Sequence, residues 1–221
     1  MMLLLLLIAI AVISYVLGGL NGAIIISKYI FRKDVRKLGS GNAGFTNFTR
    51  NFGMGWGVVV AFIDIAKSVI AVLLGALLLS IPGDGYPVIG KLFAGFCLVL
   101  GHVYPVLYRF RGGKGVVCFM TTLWLTDWRV GLFASIVFLI VLAFSQYVSL
   151  SSIITSMTAC LECWIFVDAS QLKGLAGLLA LFTGLVILWR HRMNILRIAN
   201  KKEPHIRWGR QPDKKIREDR F

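Results

Sequence analysis

Hydrophobic residues in this chain come in long runs, and polar residues in short clusters between them. Met2 to Ile30, Gly55 to Ile81, Leu92 to Tyr108, Val130 to Phe144, Val148 to Val167 and Gly174 to Trp189 approach the length a helix needs to cross a bilayer core, about 20 residues. A bilayer interior offers no water to an unpaired backbone, so each run is expected to be helical. Val116 to Thr126 is a seventh run that would cover only about half of the core. The chain therefore reads as seven transmembrane helices, or as five full crossings if residues 116–144 form a re-entrant pair. Either count places the two ends on opposite sides. Gly18-Gly19 and Asn21-Gly22 interrupt the first run and predict close packing or a kink there.

The polar clusters set an orientation. Arg32, Lys33, Arg36, Lys37 and Arg50 crowd into the first basic loop, Arg109, Arg111 and Lys114 into the second, and eleven Lys or Arg residues follow from Arg190 onward. By the positive-inside rule these segments are cytoplasmic and the N-terminus is outside. Pro82-Gly83-Asp84-Gly85-Tyr86-Pro87 is then an outside turn. A signal peptide at residues 1 to 17 fits less well than a first span, because no basic leader precedes the apolar run and the run continues to Ile30.

Composition agrees. The 221 residues are 57% hydrophobic and 15% charged, with a mean hydropathy of +0.79, which leaves too little polar surface to cover a soluble domain. The net charge of +14 would suit nucleic acid, but its place beside the apolar runs makes it a topology signal and no nucleic-acid partner is expected. Cys97, Cys118, Cys160 and Cys163 lie in or beside apolar runs and are expected to be free thiols. The acids are scattered without ligand spacing, so no metal is expected.

Three polar clusters fall on the cytoplasmic side: Gly39 to Arg50, Arg109 to Lys114 with His102 before it, and His191 to Glu203. In the first, glycines free backbone N–H groups to face an anion, and Ser40, Asn42, Thr46, Asn47 and Arg50 add donors. In the second, Gly112-Gly113-Lys114-Gly115 resembles a phosphate cradle; a positive-inside turn with glycines as helix caps fits the same residues. In the third, His191, Asn194 and Arg197 share a face if the segment is helical, and a His–Asn pair can hold an alcohol. His191 equally fits an interfacial residue at a helix end. His102 fits packing best, as do Ser149 and Ser152 within their helix. Asp64 and Lys67, three apart inside a span, are expected to form a structural ion pair. A transporter for an anion would place such groups at the midplane, between the halves of an internal repeat; a membrane scaffold would leave the Ser40 to Arg50 pattern unexplained.

Ser40-Gly41-Asn42-x-Gly44-x-Thr46-Asn47-x-x-Arg50, Gly101-His102-x-x-Pro105 with Phe110-x-Gly112-Gly113-Lys114-Gly115-Val116, and His191-x-x-Asn194-Ile195-x-Arg197 with Glu203 closely resemble the three motifs of the bacterial acyl-phosphate:glycerol-3-phosphate acyltransferases. The resemblance runs to about Glu203. It implies an all-helical, seven-helix enzyme of the bacterial inner membrane with its active site on the cytoplasmic face. The enzyme would move a fatty acyl group from acyl phosphate to the 1-hydroxyl of glycerol 3-phosphate, giving lysophosphatidic acid and phosphate without a cofactor. A soluble acyl-phosphate synthase would be its functional link. The chain would divide into a catalytic domain at residues 1–199 and a basic tail at 200–221 near anionic lipid headgroups. Ser40, Arg50, Lys114, His191 and Asn194 carry over as catalytic residues, with a serine at Ser149 or Ser152. Arg50 and Lys114 would hold phosphates with the N–H groups of Gly41 to Gly44 and Gly112 to Gly115, while Asn194 and His191 would hold the acceptor. The chain departs from the family at Gly18-Gly19-Leu20-Asn21, at Val117-Cys118, and at Lys201 in place of a glycine.

Overall fold

The computed structural model describes residues 1–82 and 85–206. Gly83 and Asp84 of the expected outside turn, and residues 207–221 of the expected tail, lie outside the described residues. Ten α-helices follow one another with no strand among the described residues: α1 Met2–Gly19, α2 Gly22–Tyr29, α3 Phe45–Phe52, α4 Met54–Ser80, α5 Pro87–Val103, α6 Val116–Thr126, α7 Trp128–Ser145, α8 Val148–Phe166, α9 Lys173–Arg190 and α10 Arg192–Ala199. Six stretches are long and apolar enough to cross a membrane, the first joining α1 to α2, and α6 is a shorter apolar helix of 11 residues, about 16 Å.

The surface is lipid-like. Leu4, Phe62, Leu139 and Phe144 are more than half exposed on α1, α4 and α7, an arrangement that water penalises and hydrocarbon does not. Since lipid gives helices no hydrophobic reason to associate, they meet through small residues. A Cβ on Gly75 would lie 2.4 Å from the Gly90 carbonyl oxygen, and one on Gly90 2.1 Å from that of Gly75. The backbones of α4 and α5 touch there.

The break between α1 and α2 falls where the glycine and asparagine pairs predict it. The last carbonyls of a helix lack intrahelical partners and carry the negative end of its dipole. Lys67 of α4 meets them, donating from Nζ to the carbonyls of Gly18 and Leu20 at 3.0 Å each and to Nδ1 of His102 at 3.0 Å. Its three donors are then committed, and Asp64 Oδ1 at 2.8 Å neutralises the charge as an ion contact outside hydrogen-bond angles. The expected pair exists, and it supports the end of the first span.

Two features differ from the sequence reading. Residues 45–52, read as part of a loop, are helical because Phe48 and Phe52 pack with Phe31 at centroid separations of 4.6–6.3 Å. The segment just after residue 199 packs back on the bundle: Glu203 is buried, His205 stacks on Tyr147 at 4.4 Å, and the Ile206 N–H donates to the Gln146 carbonyl at 2.9 Å. Charge alone had suggested a solvated tail from residue 200.

Candidate active site

The three motif segments meet at one end of the bundle. In the first, Gly39 and Gly41 adopt φ of 54° and 73°, and the buried Asn47 holds the turn: its Oδ1 accepts from the Ser40 N–H at 3.0 Å while Nδ2 faces the carbonyls of Val35, Leu38 and Asn42 at 3.0–3.2 Å. Asn21, which caps α2, donates to the Ala43 carbonyl at 3.0 Å and ties this loop to the break in the first span. Ser40 and Arg50 are exposed. Asn42, Gly44 and Thr46 complete the turn into α3, with Gly44 as its N-cap.

The second segment folds back on α5. Gly112 N–H donates to the Val103 carbonyl and Gly113 N–H to that of His102, both at 3.1 Å. A Cβ on Gly113 would lie 2.2 Å from His102 Nε2 and 2.6 Å from the Ala43 carbonyl oxygen, so only glycine lets the first two segments approach this closely. The picture of these glycine N–H groups as phosphate donors changes accordingly. Those of Gly41, Gly112 and Gly113 are bound to backbone carbonyls, because the turns need them for their own shape. The glycines shape the site, and Gly115, at φ 83°, turns the chain into α6.

The third segment starts where α9 ends. His191, almost fully buried, forms the joint to α10 with φ −95° and ψ 2°. Its Nδ1 lies 2.8 Å from the Ile187 carbonyl oxygen; a carbonyl only accepts, so the proton sits on Nδ1 and Nε2 is the acceptor. One turn on, Asn194 Oδ1 accepts from Lys114 Nζ at 2.5 Å and its Nδ2 donates to Glu203 Oε1 at 2.6 Å. Ser149 Oγ donates to the same carboxylate oxygen at 2.7 Å, and Arg197 Nε to the other at 2.7 Å. Lys114, Asn194, Glu203, Ser149 and Arg197 thus form one network drawn from the second loop, α8 and the chain's last described segment. Ser152 stays out of it, its hydroxyl donating to the Val148 carbonyl.

Positive charge dominates. Burial lowers the Lys114 pKa to about 8; Glu203 opposes that, while Arg197, Arg190 and Arg50 reinforce it. Burial likewise lowers His191, to about 4, with Lys114 adding to the effect, so its ring is neutral at neutral pH. Burial pushes the Glu203 carboxyl up, yet hydrogen bonds from Arg197, Asn194 and Ser149 outweigh it and hold the group below its ordinary value. Four cations around one carboxylate make an anion site.

Sequence reasoning missed two contributors. Arg190 donates from Nε and Nη2 toward the carbonyls of Gly113 and Gly112 at 3.3 and 3.4 Å and lies over the Tyr104 ring; it had been counted only as a topology charge. Arg36, held by Asp34 at 2.8 Å, donates to the Tyr108 carbonyl at 2.9 Å and joins the first two loops. Three groups that could ligate a metal do converge in space: one ligand atom each of Asp64, His102 and Cys118 lies within 4.8 Å of the others. The Lys67 ammonium sits against that group, 2.8 Å from Asp64 Oδ1 and 3.0 Å from His102 Nδ1.

Residues 8–201 match the family described as glycerol-3-phosphate acyltransferase. The chain belongs to that family. Relatives named glycerol-3-phosphate acyltransferase include proteins of Finegoldia magna, 34% identical over 90% of this chain and 96% of theirs, and of Staphylococcus aureus strain Newman, 36% identical over 89% of this chain and 96% of theirs. Crystal structures of PlsY (YgiH), an integral membrane glycerol 3-phosphate acyltransferase, superpose with TM-scores of 0.78 for the glycerol 3-phosphate form and 0.75 for the lysophosphatidic acid form. They are 34% and 33% identical, covering 91% of this chain and 96% and 95% of theirs. As a member, the acyltransferase is an integral membrane protein, and its six long apolar helices are the spans expected of one.

Proposed function

We propose that this acyltransferase moves a fatty acyl group from acyl phosphate to the 1-hydroxyl of glycerol 3-phosphate, releasing phosphate and lysophosphatidic acid, at a site facing the cytoplasm of a bacterial inner membrane. On this reading there are seven spans, counting the short α6, and the basic loops on the cytoplasmic side leave the N-terminus outside and the C-terminus inside. A soluble acyl-phosphate synthase would supply the donor. The observation that carries the reading is the Lys114–Asn194–Glu203 network with Arg50, Arg190 and Arg197 around it. Two substrates that each bring a phosphate to the reacting centre suit such an excess of cations.

Acyl phosphate is already activated, so the site has to supply proximity and charge stabilisation. Lys114 and Arg50 hold the phosphates, and Ser40 donates to an oxygen at the reacting centre. Asn194, fixed on both sides of its amide, and neutral His191 orient the acceptor hydroxyl. With a pKa near 4, His191 is a weak base. The hydroxyl oxygen attacks the acyl carbon, the bond from carbon to bridging oxygen breaks, and the hydroxyl proton passes to an oxygen of the departing phosphate, which leaves as hydrogen phosphate. Prior acylation of Ser40 lacks support, since among the described residues no side chain is hydrogen-bonded to its hydroxyl. Purified protein incubated with acyl phosphate and labelled glycerol 3-phosphate should form labelled lysophosphatidic acid. Formation from an acyl thioester and not from acyl phosphate would sink the proposal.

A further inference from the structure

A second basic site lies beside the catalytic network and shares with it only Arg190 and the backbone of the two glycine loops. A cleft of about 780 Å³ opens between the first and second loops, walled by Gly41 and Gly112 and floored by Arg190. Four cations rim it, Lys28, Lys37, Arg109 and Arg111, all exposed. Its one carboxylate, Asp34, is taken by Arg36 at 2.8 Å, and among the described residues none of the four rim cations has a carboxylate partner.

Unpaired like charges held around a concave space repel one another unless an anion joins them. The backbone adds to this. Arg109 and Phe110 are consecutive non-glycine residues at φ 56° and 57°, left-handed conformations that persist only where the surroundings impose them. The same segment exposes Val106 (54%), Leu107 (64%) and Phe110 (57%) immediately after the end of α5. Exposed apolar side chains interleaved with cations, at the end of a membrane-crossing helix, match an anionic lipid: the cations meet the headgroup phosphate and the apolar side chains its acyl chains. A soluble anion would use the cations and leave the apolar rim without a partner.

We infer that the cleft is a binding site for the phosphodiester headgroup of an anionic phospholipid, distinct from the site where acyl transfer takes place. Its walls are the backbone of both reactive loops, so an occupying lipid braces Gly41 against Gly112 from outside. The inference does not depend on the identity of the acyl donor.

The test uses the full chain in detergent and counts lipids retained by native mass spectrometry, offering phosphatidylglycerol against phosphatidylcholine of the same chain length. The wild-type protein should retain phosphatidylglycerol preferentially. A Lys37→Gln, Arg109→Gln, Arg111→Gln variant should lose roughly a hundredfold of that preference, and Arg109→Gln alone roughly fivefold, at the usual contribution of a basic residue near an anionic headgroup. An Arg32→Gln, Lys33→Gln, Lys202→Gln variant, which removes equal charge from outside the cleft, should keep it. If both triple variants lose the preference equally, the effect is general charge and the site does not exist. If the cleft variants keep it, the assignment fails outright. Displacement of the lipid by millimolar inorganic phosphate would show a free-anion site and overturn the lipid assignment.

Discussion

Lys114 gives the sharpest handle on the site's electrostatics. Burial strips water from its ammonium, Glu203 alone among the charges opposes the effect, and Arg197, Arg190 and Arg50 add to it, leaving a pKa of about 8. The group is therefore charged at pH 7 and neutral as pH rises through about 8. If its charge is what holds a substrate phosphate, kcat/KM for glycerol 3-phosphate falls about tenfold per pH unit above that point, because the protonated fraction does. The substrate phosphate, with a second pKa of about 6, is a dianion throughout and contributes no limb there. Lys114→Arg supplies a cation with a pKa above about 12 and should abolish the limb, at a lower plateau because the guanidinium cannot reproduce the single contact to Asn194. Initial rates of lysophosphatidic acid formation at limiting glycerol 3-phosphate and constant ionic strength measure this. A wild-type profile flat to about pH 10, or an equal limb in Lys114→Arg, would refute the reasoning.

Glu203→Gln should lower kcat/KM by about 2 kcal/mol, roughly thirtyfold, because an amide nitrogen then faces one of three donors and Arg197, itself a third exposed, loses its counter-charge. Ser149→Ala, which removes one donor to that carboxylate, should cost about 1.5 kcal/mol, roughly tenfold. Steady-state kinetics decide both. Lys67→Met leaves Asp64 buried with only His102, 3.6 Å away, as a partner, beside two orphaned carbonyls, and should destabilise the protein by about 3–5 kcal/mol, with part recovered in Asp64→Asn/Lys67→Met; thermal unfolding of detergent-purified protein reports this, and a single variant as stable as wild type contradicts it. Gly113→Ala should cut turnover more than tenfold with helical content by circular dichroism unchanged, since its Cβ would force the second loop off His102 and Ala43.

Much of this molecule is legible in one dimension because the bilayer imposes one-dimensional rules. Span lengths, the break at Asn21 and the loops' common end follow from apolar run length, glycine pairs and basic clusters, and α6 ends at Val116 and Thr126 as its run does. Contacts between distant segments were not legible. Nothing in the spacing tells that Asn194 stands between Lys114 and Glu203, that Ser149 rather than Ser152 reaches the carboxylate, or that glycine N–H groups bind carbonyls of their own turns. Arg190 was hidden for a different reason: among so many basic residues in the loops, composition cannot separate one aimed at a loop carbonyl from one facing solvent. Lys201, where the family has glycine, adopts φ 53°, a left-handed turn that lets Glu203 fold back to Arg197 and accounts for glycine at that position.

The measurement closest to the central claim is a single turnover in which enzyme in excess over acyl phosphate is followed for inorganic phosphate, with and without glycerol 3-phosphate. Direct transfer at the Lys114–Asn194–Glu203 network predicts no phosphate burst from acyl phosphate alone. With the acceptor present, it predicts phosphate and lysophosphatidic acid rising together in equal amounts. A stoichiometric burst without acceptor, leaving an acylated protein, would contradict direct attack, and lysophosphatidic acid formed without phosphate release would contradict the donor itself.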